Sequence, residues 1–374
     1  MHLLVAPNAF KNSLTAGEAA QAISHGLAGP TLTTECFPVG DGGDGTGDEL
    51  IDRLGGLKVT ATARDPLGRP INTYFGWIGA SQTAIIEMAN ASGLRLLDSS
   101  QLDPTKATSH GTGDLICAAL DQGAKHIILG MGGSATVDGG TGILEALGVC
   151  FYSDKGQRLT DLPSGLISLA SIDSTQLDPR LAGVEFTVLC DVTNPLTGPQ
   201  GAAAVFGPQK GASQKDVQSL DTALTRLAAV IEATTGVAVA TLLRAGTAGG
   251  AAAGLHGLLH AHLVSGIDYF LEITGFDQAL DRCDGVITGE GSIDEQTLQG
   301  KAPHGVASRA KKKGKPVIAL AGKVPLVEIP ALKEYFDVLL PISHAPVDLP
   351  TALQNTAQDL RRTAAQLGNW LTQL

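Results

Sequence analysis

Short apolar runs and glycine-rich loops alternate along the chain. Residues 3–6 are an apolar run that predicts a buried strand, followed by a loop over 7–14. Thr15 and Glu18 then stand at capping-box spacing and open a helix to about residue 27. A second strand is predicted over 33–39, then an acidic glycine loop over 40–49 and a helix to about residue 54. This strand–loop–helix rhythm predicts a parallel α/β layer. The style changes over 59–63, 73–77 and 84–88, three strand-like runs on short connections that predict antiparallel pairing. Further on come a helix near 113–122, a strand over 125–129, a glycine loop over 130–142 with a helix inside 139–147, and a strand over 184–189. A long helix begins at Ser213, with Asp216 at capping-box spacing, and residues 245–257 are so rich in Ala and Gly that close helix packing and a ligand-facing turn both fit. The α/β rhythm resumes near residue 280, with strands over 285–288, 316–321 and 338–342 and helices over 304–313 and 351–371.

The first and last segments share one style and the middle another. The expected organisation is a discontinuous α/β domain, 1–65 with 281–374, and an inserted mixed α/β domain over 66–280.

Composition narrows the function classes. A hydrophobic fraction of 43% and a mean hydropathy of +0.14 describe a globular chain. The net charge of −11 argues against nucleic acid or an anionic membrane as partner, while leaving room for a small anionic substrate at a locally positive site. Five scattered cysteines without a CxxC pair point to reduced, inert core thiols, and neither a signal peptide nor a membrane-length apolar run is evident, so a cytoplasmic protein is expected.

Several stretches carry candidate chemistry. Gly130-Met131-Gly132-Gly133-Ser134-Ala135-Thr136-Val137-Asp138-Gly139-Gly140-Thr141-Gly142 follows a strand and precedes a helix, and its glycines, hydroxyls and backbone N–H groups suit an anion cradle. Lys11, just ahead of the first helix, can act as a point charge on phosphate or carboxylate. Residues 40–49 hold four carboxylates, whose repulsion needs a cation, a positive partner or open solvent; the register fails as an EF-hand loop after Asp41. Asp191 stands at a strand end before Asn194-Pro195, placed for a base or a metal ligand. Glu290 and Asp294, four apart in what reads as a loop, are followed by Lys301. Glycine loops, carboxylates for Mg²⁺ and a cation are the ingredients of phosphoryl transfer.

Other signatures fit poorly. No Gly-x4-Gly-Lys-Ser/Thr occurs, which removes a P-loop. Gly130 to Ala135 matches GxGxxA, with Asp154 near the expected distance, a pattern that glycine-rich chains produce by chance. His256, His260 and His262 have metal-like spacing without accompanying Cys or carboxylates and suit a polar helix face better than zinc.

In order along the chain, Ala6-Pro7-Asn8-Ala9-Phe10-Lys11-Asn12-Ser13-Leu14, Asp41-Gly42-Gly43-Asp44-Gly45-Thr46, Ser109-His110-Gly111-Thr112-Gly113-Asp114 and Gly132-Gly133-Ser134-Ala135-Thr136 are followed by Cys190-Asp191-Val192-Thr193-Asn194-Pro195-Leu196, Phe206-Gly207-Pro208-Gln209-Lys210-Gly211-Ala212 and Thr288-Gly289-Glu290-Gly291 with Asp294 and Lys301. This series resembles the bacterial glycerate kinase family over essentially the whole chain. The resemblance implies a flavodoxin-like parallel-sheet domain, discontinuous in sequence, with an inserted second mixed α/β domain and a cleft between them. It implies ATP-dependent phosphorylation of D-glycerate with Mg²⁺, usually to 2-phosphoglycerate, by a monomer or homodimer.

Carried onto these motifs, Asp191 is the expected base, Lys11 and Lys301 offset anionic charge, and Glu290, Asp294 and Asp191 are expected Mg²⁺ ligands. Asn8, Asp41, Ser109, Thr112, Gly132, Gly133, Ser134, Thr136, Asp138 and Asn194 are expected to bind substrate or phosphate. Asn8-Ala9 replaces the family's usual Asp-Ser, Val137 a common Asn, and Ser292 a usual Arg. The rival expectations are a nicotinamide-dependent hydroxy-acid dehydrogenase using the GxGxxA loop and a non-catalytic sugar-acid-binding regulator.

Overall fold

The computed structural model describes residues 1–29 and 31–373. Its strands, in chain order, are β1 (His2–Val5), β2 (Thr33–Cys36), β3 (Leu57–Arg64), β4 (Pro70–Ile78), β5 (Thr83–Glu87), β6 (His126–Gly130), β7 (Cys150–Ser153), β8 (Leu169–Asp173), β9 (Glu185–Cys190), β10 (His262–Ser265), β11 (Gly285–Ser292), β12 (Val317–Lys323) and β13 (Val338–Pro341). The chain divides into two compact units, Met1–Asp41 with Ile267–Leu374, and Gly42–Gly266.

The first unit holds a five-stranded sheet in the order β13-β12-β11-β1-β2, parallel at every pairing. Counted within the unit this is 2-1-3-4-5, the flavodoxin-like order, so the strand order reverses between β1 and β11. One face is covered by the helix Ala16–Gly26, whose Thr15–Glu18 capping box forms with both reciprocal bonds. Its Ala19, Ala20, Ile23 and Leu27 share a buried cluster with Leu360, Ala364 and Leu367 of the helix Leu349–Leu371. A Cβ on Gly26 would run into the backbone of Arg361, so glycine is what permits the two helices to approach. Truncating Ile23 inside this cluster should cost about 2–5 kcal/mol.

The second unit is built on a six-stranded sheet, β10-β9-β6-β5-β4-β3, with β7 and β8 forming a separate hairpin. The pairs β3–β4 and β4–β5 are antiparallel, as the short connections predict, and β5, β6, β9 and β10 run parallel.

The division between units falls elsewhere than the breaks expected at 65/66 and 280/281. β3 pairs with β4 along its whole length, from Leu57 opposite Trp77 to Arg64 opposite Pro70, and so joins the second sheet. The helix Phe276–Arg282 belongs to the first unit, where Phe276 meets the edge of Phe37 with ring centroids 5.1 Å apart. Residues 245–257 prove to be a case of close packing. The helix Ala251–Leu259 carries Gly254, where a Cβ would strike the Gly139 carbonyl. None of the five cysteines forms a disulfide among the described residues; Cys190 and Cys283 are buried as expected, but Cys36 is exposed. Among the described residues no helix is long and apolar enough to cross a membrane.

Candidate active site

In doubly wound sheets, ligands bind beyond the carboxyl ends of the strands where the order reverses. At that place in the first unit, Asn8 follows β1, its N–H donating to the Gly289 carbonyl of β11 at 2.8 Å. Its side-chain Nδ2 donates to Asp41 Oδ2 at 3.0 Å, while its Oδ1 accepts from the Ala9 N–H at 2.8 Å.

Glu290 lies inside β11, not in a loop. The strand runs four residues past Thr288 because its pairing with β12 continues to Ser292 opposite Lys323. Glu290 is 8% exposed, and its Oε1 accepts from the Thr297 hydroxyl at 3.0 Å with Lys301 Nζ 4.0 Å away. Burial pushes this carboxyl up to about 7; Lys301 and Thr297 oppose the shift, and the charges of Asp41 and Asp294 reinforce it. Asp294 is instead the cap of the short turn Glu295–Gln299, with Oδ1 accepting from the Gln296 N–H at 2.9 Å. The two acids predicted as one loop pair therefore sit on different elements.

Among the described residues no group of three His, Cys, Asp or Glu could hold a metal by itself. Magnesium, however, is commonly held by one or two carboxylates and completes its shell with water and substrate phosphate. Glu290, with Asp41 close enough to act on its charge, fits that donor set. Lys11 is exposed in its loop, and Lys301 is partly buried at the cap of the helix Ala302–Lys312.

In the second unit the acids of the 40–49 stretch part company. Asp44 pairs with Arg95 at 3.2 Å, and Asp48 with Lys58 Nζ at 2.9 Å and the Tyr74 hydroxyl at 2.8 Å. Arg95 and Lys58 thus offset the charges of Asp44 and Asp48. Asp48 and Glu49 also lie in the first turn of the helix Thr46–Arg53, where the helix dipole favours them.

Glu87, which sequence reasoning missed, ends β5 only 4% exposed and accepts the Gly47 N–H at 2.7 Å. A Cβ on Gly47 would lie 2.6 Å from Glu87 Cγ. Burial pushes the Glu87 carboxyl up to about 7; the Gly47 bond opposes this, and Asp44 and Asp48 add to it.

The glycine loop follows the neighbouring strand β6, with Glu87 opposite Gly130 in register. It is held on three sides by backbone bonds. Gly132 N–H donates to Gly42 O at 2.9 Å, Ala135 N–H to Ser92 O at 2.8 Å and Gly139 N–H to Gly249 O at 3.0 Å, while Gly133 O accepts from Leu94 at 2.8 Å. By contrast, the N–H groups of Gly133, Ser134 and Thr136 find no acceptor among the described residues, and the buried Thr136 Oγ1 likewise has no partner there.

Behind the loop lies Lys210, 3% exposed, its Nζ donating to Ser134 Oγ at 2.7 Å and to Thr136 O at 2.8 Å. Burial pushes its amine down to about 7, against the pull of Asp138 and Asp191. Free N–H groups backed by an ammonium make this turn suited to an anion. Lys210 stands in the Phe206–Ala212 motif, the sequence signal that marks it.

The other expected residues are placed as follows. Asp138, 1% exposed, accepts from Ser109 N–H at 2.8 Å, Ser109 Oγ at 2.6 Å, Gly140 N–H at 3.0 Å and Gly142 N–H at 3.3 Å. Thr112 shares a hydrogen bond with Ser92 at 2.8 Å, and Asn194 Nδ2 donates to Gln200 O at 2.8 Å. These four brace the framework around the loops. Asp191 directly follows β9, next to β6 in the sheet, and is half-buried.

The GxGxxA match does not have dinucleotide geometry. The fingerprint needs a helix opening at its third small residue, but here the helix begins only at Thr141.

A flavodoxin-ordered sheet with a buried carboxylate at its reversal point, and a mixed sheet carrying an anion-suited loop, describe an α/β enzyme that handles charged small molecules. Comparison with known proteins makes the class specific. The model of the glycerate kinase family matches residues 3–372. A Bacillus subtilis (strain 168) protein named glycerate kinase is 42% identical, covering 98% of this chain and 97% of its own. A glycerate 2-kinase of Escherichia coli (strain K12) is also 42% identical, covering 98% of each. A crystal structure provisionally named glycerate kinase 2, from Salmonella typhimurium LT2, superposes with a TM-score of 0.84 at 42% identity, covering 100% of this chain and 98% of that one. The chain belongs to the glycerate kinase family and is an enzyme of that kind; the dehydrogenase and regulator readings are not favoured.

Proposed function

We propose that the protein transfers the γ-phosphoryl group of ATP to D-glycerate, giving 2-phosphoglycerate and ADP, as a step in glycerate, glyoxylate or sugar-acid catabolism. The observation that carries this reading is the family match over residues 3–372, with a relative of the same length named for the 2-position.

Asp191 is the base. Its carboxylate accepts the proton of the glycerate 2-hydroxyl as that oxygen attacks the γ-phosphorus and the bond to the ADP oxygen breaks. The turn over 132–136 seats phosphate oxygens on the N–H groups of Gly133, Ser134 and Thr136. Lys11 and Lys301 offset the remaining anionic charge. Glu290, with Asp41 beside it, would hold Mg²⁺, which when bound neutralises charge on the transferring phosphates. Ser109, Thr112, Asp138 and Asn194 serve by keeping the loops in place, through the internal bonds they make. The protein acts in the cytoplasm, as a monomer or homodimer.

The test is ADP release from ATP and D-glycerate with product identification. Coupling to enolase alone should report 2-phosphoglycerate, whereas a 3-phosphate would require an added mutase. Release of ADP with another hydroxy acid and none with D-glycerate would overturn the substrate.

A further inference from the structure

Lys210 in the second unit is taken almost wholly out of water, and its hydrogen-bond partners do not account for its charge. Its hydrogen-bond partners are neutral, the Ser134 hydroxyl and the Thr136 carbonyl. No carboxylate oxygen makes an ion pair with it among the described residues. Asp138, the acid with the largest effect on it, already spends its oxygens on Ser109, Gly140 and Gly142. A buried ammonium facing only neutral acceptors is costly, and a lysine kept simply to fill space would be replaced at less cost by an apolar chain of similar length. Both of its bonds end on the turn that carries the unused N–H groups and the unpartnered Thr136 hydroxyl.

We infer that Lys210 is a positioning residue for ATP: from behind the loop it fixes the Ser134–Thr136 turn and supplies the charge that lets this turn hold nucleotide phosphates. The inference rests on the reading that the loop seats the phosphates of ATP, and goes further in naming what holds that seat and what its loss would cost. The bound phosphate is the missing counter-charge. Lys210 touches the loop and not the ligand, so its removal should fall on one substrate and spare the other.

The experiment compares the wild-type protein with Lys210→Met in three measurements: titration calorimetry with ADP and Mg²⁺ in the absence of glycerate, steady-state KM for ATP and for D-glycerate, and circular dichroism for the fold. Nucleotide binding should weaken at least about 10-fold, and kcat/KM for ATP should fall about 100-fold, with KM for D-glycerate within about threefold of wild type. Unchanged nucleotide affinity, or equal losses for both substrates, overturns the inference. Loss confined to D-glycerate overturns the assignment of the loop to ATP. If the wild-type protein releases no ADP with D-glycerate, the proposed activity fails, yet the ADP titration still decides the role of Lys210. If Lys210→Met does not fold, Ser134→Ala decides in its place. That variant removes one of the two bonds and should weaken ADP binding by about 3- to 10-fold, and wild-type affinity in it overturns the inference.

Discussion

Glu290, on a strand of the first unit, and Lys210, beneath the loop after β6 in the second, are both buried, and desolvation drives both to about 7 from opposite sides. Their neighbours differ. Glu290 keeps a cation, Lys301, 4.0 Å away and a hydroxyl donor in Thr297, whereas Lys210 has a hydroxyl and a carbonyl. The acid is thus partly compensated inside its own unit, and the base is left for a ligand to compensate. Burial sets how far each group is displaced, and the partner decides what it waits for.

The largest effect is expected at Asp191, the group assigned to chemistry as distinct from charge holding. Asp191→Asn should lower kcat about 10²- to 10⁴-fold at saturating substrates. Near-normal turnover in an ADP-release assay would remove it as the base. Glu290→Gln keeps the shape of its site and removes the charge, so the Mg²⁺ concentration for half-maximal rate should rise about 10- to 100-fold. An unchanged Mg²⁺ dependence would show that this acid serves only its own unit.

A smaller effect tests whether burial alone explains these acids. Burial pushes the Glu87 carboxyl up to about 7 from its ordinary 4.5, so its protonated form is favoured by the fold. The stability it contributes is complete below about pH 4.5 and is lost as pH rises through 7. Glu87→Gln keeps an oxygen for the Gly47 N–H and escapes that loss, so it should exceed wild type by about 1–3 kcal/mol at pH 8, with the gap nearly closed at pH 5. Urea unfolding at the two pH values measures this, and a gap independent of pH would contradict the assignment.

The smallest effect concerns Asn8. Asn8→Asp would set a second carboxylate where Nδ2 now lies 3.0 Å from Asp41 Oδ2. A loss of about 1 kcal/mol is expected at pH 8, shrinking toward pH 4 as the pair comes to share a proton. Equal unfolding midpoints for both proteins at pH 8 would show the pair to be solvent-screened.

What the amino-acid order discloses depends on how local the cause is. Thr15 with Glu18 and Ser213 with Asp216 are capping boxes whose partners stand three residues apart, and both form as spacing predicts. The antiparallel run through β3, β4 and β5 follows from short connections. Glu290 was legible as a residue but not in its setting, because Gly289-Glu290-Gly291-Ser292 has little strand propensity and becomes strand only through pairing with β12. The division after Asp41 was equally hidden, since β3 joins the second sheet through partners that only tertiary structure selects. Glu87 and Lys210 are ordinary in sequence. One is special because β5 lies beside β6, the other because a turn at 208–210 is folded beneath a loop more than seventy residues earlier.

The discontinuity of the first unit has a consequence on the ribosome. β1 is hydrogen-bonded on one side to β2 and on the other to β11, and β11 begins at Gly285. At about 5–20 residues per second, synthesis makes the first strand wait roughly a quarter of a minute to a minute for that neighbour. The contiguous Gly42–Gly266 unit is complete before then. A nascent chain arrested about 40 residues beyond Gly266, so that this unit has cleared the ribosomal tunnel and β11 has not, should therefore yield a protease-resistant fragment starting near Gly42, with its leading segment cut away. Protection of that leading segment would mean that it finds an early guardian other than its final sheet.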